Sequence, residues 1–186
     1  MGTPQTREIR EGRFAALYND AYADVLRFVQ RRSGPDRAED VVHEAFLVAW
    51  RRFDDVPTSL DDARAWLFGT ARNCLLNDQR SQSRRGALEV RIAEVTKEAT
   101  ESEDDLVAFH VDLSRAWQHL RPEVQEVLSL AIWENLPSPQ AGRVLGITAA
   151  SYRIRLHRAR LALRRVLKHT TSTAFDPDYS VTEQLT

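Results

Sequence analysis

Ser138-Pro139-Gln140-Ala141-Gly142-Arg143-Val144-Leu145-Gly146-Ile147-Thr148-Ala149-Ala150-Ser151-Tyr152-Arg153-Ile154-Arg155-Leu156-His157-Arg158-Ala159-Arg160 is the stretch on which the reading of this chain turns. Pro139 suits the first turn of a short helix, and Ser138 is placed to cap it. Gly146 follows Leu145, and glycine enters the left-handed conformation that ends a helix at no steric cost. Thr148 stands where the next N-cap belongs, and a helical pattern runs on to Lys168. Short helix, glycine, cap and long helix form the layout of a helix-turn-helix. Leu145, Ile147, Tyr152, Leu156 and Leu163 pack the long helix against its neighbours, which turns Arg153, Ile154, His157 and Arg158 outward. In this motif the N-terminal half of the second helix enters the major groove. There Arg can bond guanine edges and Ile can touch a thymine methyl. Gly142, inside the short helix, is expected to cost about 1 kcal/mol against Ala.

Charge supports the same reading. From Ile147 to His169 the chain has six Arg, Lys168 and no Asp or Glu, although its net charge is −1. The remainder is therefore acidic, and the long helix is a local anion-binding surface. A basic helix face is often only solvated surface. Here no acid at helical spacing neutralises it, and a helix-turn-helix precedes it. Arg160, Arg164, Arg165 and Lys168 suit phosphates or neighbouring acids. His157 has no His, Cys or acid near it in sequence, so it does not read as a metal ligand.

Upstream of this stretch, Pro122 opens a helix read to Glu134, with Val124, Val127, Leu128 and Ala131 on its apolar face. Leu106, Leu113, Trp117 and Leu120 mark another before it. Gly86 to His110 holds seven acidic and two basic residues and reads as a flexible acidic spacer. Three longer helices precede it. The first, Arg10 to Arg32, carries Phe14, Leu17, Tyr18, Ala21, Val25 and Phe28 at three- and four-residue steps and stops at Ser33-Gly34-Pro35. The second, from Pro35-Asp36 to Phe53, buries Ala38, Val42, Ala45, Phe46, Ala49 and Phe53. The third, Leu60 to Arg80, starts at a Ser59/Asp62 capping pattern and turns Ala63, Trp66, Leu67, Thr70, Ala71, Cys74 and Leu75 inward. The expected fold is all-α, in two small domains. Residues 10–85 form a three- or four-helix bundle, 86–105 a linker, 106–169 the helix-turn-helix domain and 170–186 a mobile tail.

Apolar residues make up 42% and charged residues 28% of the 186 positions, ordinary for a soluble globular protein. No run approaches the ~18 apolar residues that span a bilayer, and Met1 to Arg13 lacks a signal-peptide core. A cytoplasmic location without membrane insertion is expected. The single cysteine, Cys74, excludes an intramolecular disulfide and a cysteine zinc cluster, and reads as core filler.

Four segments in order resemble the extracytoplasmic-function (ECF) sigma factors, which direct bacterial RNA polymerase to promoters. Ala38-Glu39-Asp40-Val41-Val42-His43-Glu44-Ala45-Phe46 is similar to the polymerase-binding helix of region 2.2. Ala65-Trp66-Leu67-Phe68-Gly69-Thr70-Ala71-Arg72-Asn73 is similar to the W-L-x-x-I-A-x-N segment of region 2.3. Leu120 to Leu128 resembles the start of region 4, and Leu145-Gly146-Ile147 with Arg155 to Arg160 its recognition segment. The likeness runs from Phe14 to Leu167. It departs from the usual pattern at Gln140-Ala141-Gly142, where Glu-Ile-Ala is common, at Ala149 to Tyr152, where Val-Gly-Thr-Val is common, and at Ile154, often Ser.

The resemblance implies that Asp40, Val41, Glu44 and Phe46 dock on the β′ clamp helices of core polymerase, Phe46 doubling as core. It implies a −10 element held by Asp54, Asp55, Val56, Thr58 and Ser59, with Asn73, Asn77, Arg80, Arg84 and Arg85 along the DNA. It assigns −35 reading to Ser151, Tyr152, Arg153, Ile154, Arg155, His157 and Arg158. The implied partners are core polymerase (β′ clamp helices and β flap), promoter DNA and an anti-sigma factor, with no cofactor, metal or catalytic residue. A stand-alone regulator using only the helix-turn-helix is the alternative, and an exposed acidic face at Asp40 and Glu44 argues against it. An enzyme is disfavoured. The acid pairs Asp54-Asp55 and Asp61-Asp62 fall at a loop and a helix start, where capping and solvation explain them.

Overall fold

The computed structural model describes residues 4–81 and 113–173. The N-terminal half contains α1 (Pro4–Ser33), α2 (Pro35–Arg51), a 3-10 turn at Phe53–Asp55 and α3 (Leu60–Ser81). The C-terminal half contains the helical residues 113–118 (α4), then α5 (Pro122–Ile132), α6 (Ser138–Leu145) and α7 (Ala149–Thr173). No strand occurs among the described residues, so the all-α expectation holds. The spacer 86–105 lies outside the described residues, as does the tail beyond Thr173; Thr170 to Thr173 continue α7.

α1 begins at Pro4, well before the expected Arg10. An Arg7–Glu11 pair at i,i+4 spacing (2.8 Å) supports the added turns. Arg10 donates to the Trp50 carbonyl at 2.5 Å and lies 5.0 Å from the centre of the Trp50 ring. These contacts anchor a polar segment that carries no apolar stripe of its own. Gly34, at φ 83°, turns the chain between α1 and α2, and Pro35 opens α2. α2 stops at Arg51, and Phe53 reaches the core from the 3-10 turn instead.

Most of each expected apolar stripe is buried, with Phe14, Tyr18, Trp66, Thr70, Val124 and Ala131 half-buried. Leu17, Ala21, Val25 and Phe28 of α1 meet Ala38, Val42, Ala45, Phe46 and Ala49 of α2 and Leu67, Phe68, Ala71 and Leu75 of α3. Phe14 packs edge-on to Phe46, Trp50 and Phe53, with ring centroids 5.0 to 6.3 Å apart. Ser59 caps α3 as expected: the Asp62 amide donates to Ser59 Oγ (3.3 Å), which in turn donates to the Asp62 carboxylate (3.1 Å).

In the C-terminal half the turn between α6 and α7 follows the expected layout. Gly146 is left-handed (φ 67°), and its N–H donates to Arg143 O while that of Ile147 donates to Gly142 O. Thr148 Oγ1 accepts from the Ser151 amide at 3.1 Å and caps α7. Two expectations fail here. Ser138 is the first residue of α6 rather than its cap; Pro137 takes the cap position, and its carbonyl accepts from Gln140 and Ala141. Gly142 is a steric requirement rather than a simple cost. A Cβ there would stand 2.7 Å from Ile147 O and 3.2 Å from Ala149 N, because the turn folds back against α6. Propensity counts only the helix and misses the backbone packed on it.

The two halves are not independent. α3 packs on α6, and one buried cluster continues from α1 through α3 into Val127, Leu128, Val144 and Tyr152. Charged residues tie the halves together. Arg32, 6% exposed, donates to Ser129 Oγ (2.8 Å) and Glu134 (3.4 Å), and Arg31 donates to Glu134 (2.6 Å). Arg72 forks onto Glu126 at 2.6 and 3.1 Å.

Candidate nucleic-acid interface

α7 is amphipathic with a sharp division. Tyr152 and Ala159 are buried, and Leu156, Leu163 and Val166 pack against the same core. Arg153, Ile154, Arg155, His157, Arg158, Arg160, Arg164, Arg165 and Lys168 are exposed on the other side, and Ser151 is half-buried at the capped end. Ile154 is 55% exposed within this basic face. Such a face meets the requirements of a duplex: several cations for phosphates and one apolar side chain able to meet a thymine methyl. Tyr152 must be removed from the set. It is 1% exposed, and its hydroxyl donates to Val127 O at 3.0 Å, fixing α7 to α5. Burial pushes its pKa up to about 12. It supports α7 from behind.

The N-terminal half presents two further surfaces. On α2, Asp36, Glu39, Asp40, His43, Glu44 and Leu47 are exposed together. Val41 (5%) and Phe46 (3%) are buried, so neither can touch a partner from this position. Their place in the apolar stripe, between α1 and α3, is the physical reason. Leu47 stands on the outer face instead, 54% exposed one turn beyond Glu44. The sequence reading missed it, although an apolar residue on the charged face of an amphipathic helix was a legible signal.

The second surface is the loop after α2 with the outer side of α3. Asp54, Asp55, Thr58 and Ser59 are exposed. Val56 is 7% exposed and anchors the loop to the core, so it too leaves the contact set. Asn73 and Asn77 are exposed on α3. Trp66 is half-buried rather than core, and with Arg52, Pro57, Asp62, Ala65, Gly69, Thr70 and Asn73 it lines one groove. Arg143 from α6 closes this groove. The Arg80 side chain, Arg84 and Arg85 lie outside the described residues.

Comparisons with known proteins match this arrangement. The Sigma-70 region 2 family matches residues 17–85, and the Sigma-70, region 4 family matches residues 110–163. The ECF RNA polymerase sigma factor SigL of Mycobacterium tuberculosis is 31% identical over 155 residues, covering 82% of this chain and 88% of that protein. The ECF RNA polymerase sigma factor BldN of Streptomyces coelicolor is 32% identical over 161 residues, covering 83% of this chain and 60% of that one. Among solved structures, the sigma factor RpoE in complex with the anti-sigma factor NepR from Bartonella quintana superposes with TM-score 0.54 at 20% identity, over 89% of this chain and 98% of that one. CnrH in complex with the cytosolic domain of CnrY gives TM-score 0.50 at 24% identity, over 85% and 87%. At these identities the structural likeness is one of fold. The relatedness to SigL, with both family matches in order, decides the family: this chain is an extracytoplasmic-function sigma factor, one of the subunits that direct bacterial RNA polymerase to promoters.

Proposed function

We propose that this sigma factor docks on core polymerase through the α2 face formed by Asp40, Glu44 and Leu47. The −10 element then lies along the Asp54–Ser59 loop and Asn73 and Asn77, and the −35 element under Arg153, Ile154, Arg155, His157 and Arg158. The observation that carries this is the opposite charge of two exposed helix faces on one chain. The acidic face of α2 repels DNA and suits a protein; the basic face of α7 attracts phosphates. The domains we assign to these roles are residues 10–85 and 106–169. The chain itself catalyses no covalent step and works in the cytoplasm. No described helix is long and apolar enough to cross a membrane. An anti-sigma factor holds it in check, a reading supported by the anti-sigma partners in the two solved neighbours.

The test is reconstituted transcription on host genomic DNA with core polymerase, start sites being mapped by sequencing. Start sites that appear only when the chain is added support the reading. Core-independent binding to a palindrome, with no new start sites, favours the stand-alone regulator instead.

A further inference from the structure

The function proposed above leaves the first turns of α1 without a role, although the fold fixes their position. Ile9 is 59% exposed there, and Arg13 is exposed four residues on. The core does not require this segment, since the apolar stripe of α1 begins at Phe14. Arg10 holds it in place. Its guanidinium donates to the Trp50 carbonyl and covers the Trp50 ring, with the centre of the Phe53 ring 6.0 Å away. The Arg13 guanidinium lies 5.3 Å from the centre of the same Phe53 ring. Two guanidinium groups are therefore spread over aromatic rings, and Ile9 stands beside Arg13 at i,i+4 spacing.

Phe53 joins this patch to the −10 surface. Arg52 lines the groove with Trp66 and Asn73, Phe53 follows it and carries Arg13, and Asp54 then starts the loop assigned to the −10 element. A strand leaving the groove over Arg52 meets Arg13 first, then Arg10 and Ile9. Charge favours that path. Helical spacing sets Glu8 on the side of α1 opposite Arg10 and Arg13. Glu11 is taken by Arg7 (2.8 Å) and Asp55 by Arg52 (2.9 Å). Arg10 and Arg13 form no ion pair with a described residue.

The chemistry suits an unpaired DNA strand. A guanidinium over an aromatic ring keeps donors at its edge for phosphate oxygens and offers its outer plane to a base. Exposed aliphatic surface gains by covering a base face, which a duplex hides and a single strand presents. A major-groove helix such as α7 reads the −35 element as duplex. Initiation needs the template exposed at the start site, so unpaired strand beside the −10 element lies on its start-site side.

We infer that Ile9, Arg10 and Arg13 form a further DNA site, which takes the unpaired strand between the −10 element and the start site. This rests on the function proposed above. Arg10 and Arg13 hold phosphates and Ile9 covers a base, so the site adds affinity without reading hydrogen-bonding edges.

The experiment uses the full chain assembled with core polymerase and two single-stranded oligonucleotides from a mapped promoter. One stops at the −10 element; the other continues to the start site. With the parent chain the longer strand should bind roughly tenfold more tightly, the size expected of one stacked base. Ile9→Ser with Arg13→Gln should erase that gain and leave affinity for the shorter strand unchanged. The salt slope for the longer strand should fall by about 0.7, the loss of one phosphate contact. Arg13→Lys should keep the slope, because it keeps the charge. Both altered side chains are exposed, so thermal unfolding should not move. As a second arm, benzoylphenylalanine in place of Ile9 should photo-cross-link to the strand beyond the −10 element. Equal affinity of the parent for the two strands, or cross-links confined to polymerase subunits, would overturn the inference and leave the functional reading standing. Failure of the parent assembly to bind either strand would overturn both.

Discussion

α2 and α7 are built on the same plan and differ in sign. Each buries one stripe in the core and exposes a charged face that carries large aliphatic residues: Leu47 on α2, Ile154 and the less exposed Leu161 on α7. Around Leu47 the charges are mostly acidic; around Ile154 they are basic. Apolar area alone would make both faces generic docking sites. Charge separates them, because only a basic face gains counterion release on DNA. On the function proposed above, one chain addresses polymerase with one helix and promoter DNA with the other.

Removing cations from α7 attacks this comparison most strongly. Arg153→Ala with Arg158→Ala should cost about 2–6 kcal/mol of promoter binding if both read bases, at least roughly 30-fold in affinity. Fluorescence anisotropy on a mapped promoter measures it, and affinity for core polymerase should not move. The next effect concerns the turn that aims α7. Gly142→Ala should destabilise by about 1–3 kcal/mol, since its Cβ meets the Ile147 carbonyl. Thermal unfolding should register a lowering of roughly 2–4 °C per kcal/mol. A stabilised variant would return Gly142 to its propensity value. On the α2 side, Leu47→Ala should weaken core polymerase binding by about 1–2 kcal/mol, roughly tenfold, without changing affinity for DNA.

Smaller effects sharpen the boundary between reading and supporting residues. Tyr152→Phe removes the bond to Val127 O and should cost about 1 kcal/mol of stability, with base preference at −35 unchanged. A changed preference would restore Tyr152 to the contact set. The smallest effect is expected from pH. Hydrogen bonds from Gln140 and Ser59, aided by Arg143, hold the Asp62 carboxyl below its usual value. What this contributes is present above the ordinary carboxylate pKa of about 4 and is lost only as pH falls through the lower folded value. Thermal stability should therefore not vary in this respect between neutral pH and pH 5. Burial also pulls Arg32 down to about 10, against the opposing pull of Glu134, which leaves it charged over the same range.

The sequence was most legible where local chemistry decides the outcome. Gly146, Thr148 and the Ser59/Asp62 pair each act within a few residues of themselves, and all three take the expected part. The exposed set on α7 was legible too, because helical spacing fixes which side chains share a face. Expectations failed where a distant part of the chain decides. Trp50 draws the polar start of α1 into a helix. Gly142 answers to the turn folded over it, and Val41, Phe46, Val56 and Tyr152 answer to neighbours that cover them. The buried Arg32, Glu126 and Glu134 were the least legible of all. Such residues usually face water, and nothing local in the sequence marks these three as partners across the two halves.

Footprinting of a mapped promoter tests the division of labour between α2 and α7 most directly, with the chain alone, with core polymerase alone and with both. The account predicts two protected blocks about 25 base pairs apart only when both are present, the upstream block vanishing in the Arg153→Ala/Arg158→Ala variant. Equal protection by the chain alone, or an upstream block indifferent to those two arginines, would contradict it.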